Sequence, residues 1–159
     1  MKALTFTGVE HITYEMIDDP KLLSSTDAIV RVKNCAICGS DLHVYYGRET
    51  GIDHHTAMGH EFTGEVVETG RDVKTIRVGD KVMSPFTTSC GSCYYCSIGL
   101  TARCVKGQLF GWIENGKGLG GGQAEYVRVP LADSTLQKIP EGISAEEALL
   151  LGDILSTGY

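Results

Sequence analysis

Four cysteines, Cys90, Cys93, Cys96 and Cys104, fall within fifteen residues, with two, two and seven residues between successive thiols. Short spacers let a loop wrap its sulfurs around one ion, and four thiolates close a tetrahedral zinc shell with no position left over. Such a metal holds structure and does no chemistry. Cys38 and the run Gly59-His60-Glu61 offer a different set: one thiol, one imidazole and one carboxylate. This set leaves a coordination position for solvent or substrate, as a catalytic zinc requires. A closed site beside an open one points to an enzyme. The 22-position separation of Cys38 and His60 carries no information by itself, so the fold must bring the two together.

The elements that position these groups are short. A chain of 159 residues is typical of one domain with a substantial core. Its 42% hydrophobic and 21% charged residues are those of an ordinary soluble protein. A net charge of −6 excludes the basic surface of a nucleic-acid binder, and no run of eighteen apolar residues is present to span a membrane. The N-terminus lacks the long apolar stretch of a secretory signal and reads as a first strand, Met1 to Thr7. A reducing, cytoplasmic setting follows as the expectation, in which grouped cysteines favour metal over disulfides or unpaired buried thiols.

Val9–Glu15, Ala28–Asn34, Gly64–Val67, Asp80–Met83 and Glu125–Val129 alternate apolar and polar residues as strands do, punctuated by glycine and proline. Short strands and irregular loops predict a mainly β fold with short helices, a Greek key or partly open barrel. Ser40–Tyr46 is expected to form one or two helical turns, and Ser144-Ala145-Glu146-Glu147 a capping box opening a helix. The dense glycines of Gly116–Gly122 predict a mobile loop. That run lacks the third glycine of a dinucleotide fingerprint and leads into a strand, so it is not a nucleotide loop. Cys35 is expected to be a small buried hydrophobe, His11 a strand surface residue, and His54 and His55 solvated loop residues.

The Gly-His-Glu run with its downstream Gly64, Gly70 and Gly79, the segment Cys38-Gly39-Ser40-Asp41-Leu42-His43, the cysteine lobe, Gly122-Gln123-Ala124-Glu125-Tyr126 and the final Ser156-Thr157-Gly158-Tyr159 together resemble the zinc-containing medium-chain dehydrogenase family. The resemblance covers essentially the whole chain and implies a chaperonin-10-like, partly open β-barrel carrying a structural zinc lobe. It implies that Cys38 and His60 ligate a catalytic zinc, with Glu61 beside it as an occasional or water-displacing ligand. The last ligand position falls on Asp153, where many members have cysteine and formaldehyde dehydrogenase-like members have aspartate. Cys90, Cys93, Cys96 and Cys104 would hold the second zinc ion.

By the same resemblance Ser40 accepts the substrate proton, His43 passes it outward, Asp41 orients His60, and Phe86 lines the pocket. Gly39, Ser40 and Thr157 would contact NAD or NADP, Thr157 at its nicotinamide; Gly39 stands where members often have a basic residue, so any phosphate contact must come from backbone amides or from elsewhere. The implied activity is reversible oxidation of a small alcohol to an aldehyde or ketone by hydride transfer, in an enzyme that is a homo-oligomer. Residues 1–159 would be the catalytic domain alone, with the nucleotide-binding Rossmann domain outside this chain and no turnover by the chain in isolation. The alternative is a stand-alone, non-catalytic zinc-binding module.

Overall fold

The computed structural model describes residues 1–159, in which strands dominate and every helix is short. In chain order the elements are β1 (Lys2–Gly8), β2 (His11–Met16), β3 (Ala28–Cys35), α1 (Gly39–Tyr45), β4 (Thr56–Ala57), β5 (Phe62–Thr69) and β6 (Lys81–Ser84). There follow α2 (Tyr94–Ser97), a 3-10 turn (Thr101–Arg103), β7 (Trp112–Glu114), β8 (Lys117–Leu119) and β9 (Tyr126–Val129). The last elements are α3 (Ala132–Thr135), β10 (Gln137–Lys138), α4 (Ala145–Leu151) and α5 (Ile154–Gly158).

β10-β6-β5-β3-β9 form one antiparallel sheet and β2-β1-β4 another. An Ala3–Ala124 bridge and the hydrogen bonds Leu4 N to Gln123 O (2.8 Å) and Glu125 N to Lys2 O (3.0 Å) join the sheets into the expected partly open barrel. β7 and β8 make a separate hairpin. The β-branched run of β3 is buried on both faces at its start, which explains why its alternation is imperfect. Phe62 and Phe110 lie at the centre of the core, their rings edge to face at 5.1 Å.

Two expectations fail locally. Val9 and Glu10 are not strand: they turn the chain between β1 and β2, with Glu10 at φ 60°. Apolar alternation across residues 9–15 had hidden a turn that a register shift at Gly8 accommodates.

The glycine run is not a mobile loop either. Gly121 N, Gly122 N and Gln123 N each donate at 2.9 Å, to Ala57 O, Gly59 O and Met58 O. A Cβ at Gly121 would collide with the Gly59 and Met58 carbonyl oxygens. Glycine is dense here because two backbones approach closely, not because the chain is free.

Candidate metal centre

Cys38 ends the turn after β3 and is the N-cap of α1. His60 lies two positions before the start of β5, and Asp153 sits between α4 and α5. α4 packs on β3, β5 and β6, so the barrel carries Asp153 to the other two residues. The α4 start is locked as predicted: Glu147 N donates to Ser144 Oγ (3.2 Å) and Ser144 N to Glu147 Oε2 (2.8 Å).

One donor atom from each of Cys38, His60 and Asp153 lies within 4.8 Å of the others. Asp153 Oδ2 is 3.4 Å from His60 Nε2 and 3.8 Å from Cys38 Sγ. Donors about 2.0–2.3 Å from a tetrahedral zinc stand roughly 3.3–3.8 Å apart, so the measured separations fit that ion. Thiolate, imidazole and carboxylate are all acceptable zinc donors.

The surroundings orient these groups. Thr157 Oγ1 donates to Asp153 Oδ1 at 2.9 Å, which turns Oδ2 toward His60 and Cys38. Asp41 is buried, its Oδ1 3.6 Å from His60 Nδ1, and its Oδ2 accepts from Cys38 N at 2.9 Å. Burial pushes the Asp41 carboxyl up. Glu61 is also buried, yet lies outside the three converging donors. Burial and then the charge of Asp153 push its carboxyl up, against a hydrogen bond from the Ile154 amide.

A cavity of about 290 Å³ opens beside this trio, lined by Ser40, His60 and Asp153 on its polar side and by Phe86, Leu109 and Trp112 on its apolar side. Ser40 is exposed at its rim, with Oγ 3.7 Å from Cys38 Sγ. His43 lies about half exposed, its Nδ1 3.6 Å from Glu49 Oε1, and Glu49 also lines the cavity. Gly39 is exposed, with open space where a side chain would be. Thr157 is exposed as well.

The second donor group is the expected cysteine lobe, in which Cys90, Cys93, Cys96 and Cys104 converge. Cys93 and Cys96 sulfurs are 3.6 Å apart, again the edge of a zinc tetrahedron. Cys90 N donates to Cys104 Sγ at 3.2 Å and Lys106 N at 3.4 Å, as backbone amides do toward thiolates. Hydrogen bonds from the Ser92 amide and hydroxyl pull Cys90 down to about 6, while burial and the Cys93 thiol push Cys96 up to about 11. Four sulfurs this close cannot all ionise without a cation between them, so the donor chemistry itself asks for one.

Cys35 was expected to be buried but is exposed at the last position of β3, where the chain leaves the sheet, and belongs to neither group. His54 and His55 also stand apart from both groups, His55 Nδ1 lying 2.7 Å from Glu15 Oε1. His11 is exposed at the start of β2. The sequence reading placed Gln123 only within the run Gly122–Tyr126, with no role at the site, and passed over Glu49, since neither has a distinguishing spacing relative to Cys38 or His60.

The family described as alcohol dehydrogenase GroES-like domain matches residues 24–141. A medium chain reductase/dehydrogenase from an Acremonium species is 50% identical over 159 residues, covering 100% of this chain and 53% of that protein. Zinc-type alcohol dehydrogenase B of Aspergillus flavus is 48% identical over 162 residues, covering 100% of this chain and 36% of that protein. An alcohol dehydrogenase structure from Thermus sp. ATN1 superposes with a TM-score of 0.94 at 38% identity, covering 100% of this chain and 46% of the other. The chain therefore spans about half, or less, of the length of the curated relatives it matches.

Proposed function

The chain belongs to the alcohol dehydrogenase GroES-like domain family, and on that footing we propose that it forms the zinc-holding catalytic part of a dehydrogenase interconverting small alcohols with aldehydes or ketones. The observation that carries this reading is the cavity, walled in part by apolar side chains, that opens onto His60 and Asp153, two of the three converging donors. A module that merely stored or displayed zinc would have no use for such a cleft.

In this reading Cys38, His60 and Asp153 hold one zinc ion, and Cys90, Cys93, Cys96 and Cys104 hold another. When bound, the first zinc supplies Lewis acidity that lowers the pKa of a substrate hydroxyl, and NAD or NADP supplies the hydride acceptor. The chain's own residues then do the rest. Ser40, at the cavity rim, takes the substrate proton, because a hydroxyl donates and accepts at once without holding charge. His43, half exposed and beside Glu49, exchanges it with solvent. Phe86, Leu109 and Trp112 exclude water from the reacting carbon. Thr157 fixes the Asp153 carboxylate and faces the nicotinamide, while Gly39 and Ser40 belong to the remaining cofactor contact.

Leu150, Ile154 and Leu155 are exposed on α4 and α5, next to the site. We assign this apolar surface to contact with a nucleotide-binding domain of the kind the dehydrogenase reaction needs.

Cobalt(II) reconstitution tests the proposal. The chain should take two equivalents, and a small alcohol or imidazole should shift the visible bands of one of them while leaving the thiolate-rich lobe spectrum unchanged. Two ligand-insensitive cobalt spectra would overturn the catalytic reading in favour of a non-catalytic zinc module.

A further inference from the structure

We propose that Gln123 is a positioning residue for the open metal site, holding Cys38 and His60 in place through the Asp41 carboxylate; the assignment rests on the metal-site reading above. Gln123 is buried, 8% exposed, at the exit of the glycine run. Its Nε2 lies 3.3 Å from Asp41 Oδ2 and 3.3 Å from the Ala36 carbonyl oxygen. Both partners accept only, so the amide must present its NH₂ group to them, and both of its protons are used.

The side chain has no freedom to do otherwise. Gly59, at φ +88°, lies so close that a Cβ there would sit 2.5 Å from Gln123 Cγ. The Gln123 backbone is held on both sides, its N–H donating to Met58 O (2.9 Å) and its carbonyl accepting from Leu4 N (2.8 Å). A rigid amide therefore reaches the metal site from the seam that joins the two sheets.

Asp41 is the junction it acts on. The same carboxylate accepts from Cys38 N at 2.9 Å, receives the Gly59 amide, and faces His60 Nδ1 at 3.6 Å. It ties the Cys38 turn, the His60 turn and Gln123 together, although these lie far apart in the chain. Deprived of the Gln123 donor, Oδ2 would be one partner short inside the protein, and the carboxylate would be free to rotate away from His60. Outer partners of this kind are typically worth about 10–100-fold in metal affinity. A residue that only filled space would be replaced by methionine without consequence for the metal.

Gln123→Met keeps the size of the side chain and removes its donor; Gln123→Glu keeps size and polarity and replaces the donor with a second carboxylate. Both variants of the 159-residue chain are loaded with cobalt(II) and titrated with a competing chelator, the cysteine lobe serving as an internal measure of folding. We expect cobalt at the open site to bind about 10–100-fold more weakly, with shifted visible bands, while the lobe spectrum stays that of the parent. Parent affinity and parent bands at the open site in either folded variant would overturn the assignment. A parent chain that takes cobalt in the lobe alone would overturn the open site itself and the role of Gln123 with it.

Discussion

The cysteine lobe and the open site are built on opposite principles. The lobe draws its four donors from one stretch, Cys90 to Cys104, and local amides such as those of Cys90 and Lys106 point at the sulfurs. The open site draws on Cys38, His60 and Asp153, so that its outer members lie 115 positions apart, and on a buried network reaching Gln123. A local loop pays little closure entropy to form its site. The dispersed site exists only when β3, β5 and α4 are already packed. The lobe is thus a self-contained clamp, whereas the open site reports on the integrity of the whole barrel.

Substitutions can break this contrast, and the lobe should give the largest effect. Cys93→Ser should abolish tight metal binding there and lower the Tm markedly, since a closed zinc site contributes folding energy directly. Metal analysis together with calorimetry would check this, and an unchanged Tm would mean that the lobe is decorative. His60→Ala should weaken the open site by more than about 100-fold while the lobe keeps its ion, seen by cobalt spectra at both sites. Simultaneous loss of both metals would remove the independence argued here.

Alkylation sharpens the comparison within the lobe. With Cys90 at about 6 and Cys96 at about 11, metal-free protein at pH 7 should lose Cys90 to iodoacetamide at least about tenfold faster than Cys96. Zinc should protect both, and mass spectrometry of peptides reads the order. Thr157→Val should loosen the open site by about fivefold, the worth of one hydrogen bond of about 1 kcal/mol. Affinity identical to the parent would remove Thr157 from the orientation of Asp153.

The smallest effect is a pH dependence. The folded pKa of Glu61 is raised above 4.5, chiefly by burial and next by Asp153, so its ionisation costs the folded state stability. That cost is absent below the unfolded pKa and is fully present above the folded one. Glu61→Gln should therefore raise the Tm of metal-free protein at neutral pH, with the gain disappearing as pH falls through the raised folded pKa toward 4.5 and below. A gain that persists in acid would assign it to packing instead.

Much was legible in residue order. The lobe, the Cys38 and His60 segments, the α4 capping box and most strands were readable because their signals are local: spacer length, alternation, a cap followed three residues later by glutamate. The same locality explains the misses. Val9 and Glu10 continued an alternating pattern although the backbone turns there. Gly116–Gly122 has a loop's composition but a close-packed environment, visible only against residues 57–60. Cys35 carries the residue type of a core position yet ends an exposed strand tip.

Taken alone, the order of residues determined which atoms could bind metal, since thiols, imidazole and carboxylates are properties of residue type. It also determined the short-strand architecture, whose periodicity is written along the chain. Tertiary packing decided that Asp153 faces His60 and Cys38, that Glu61 stands aside, and that Gln123 reaches Asp41. Those contacts join residues whose separation in sequence sets no distance in space; the antiparallel pairing of the sheets and the docking of α4 set it instead.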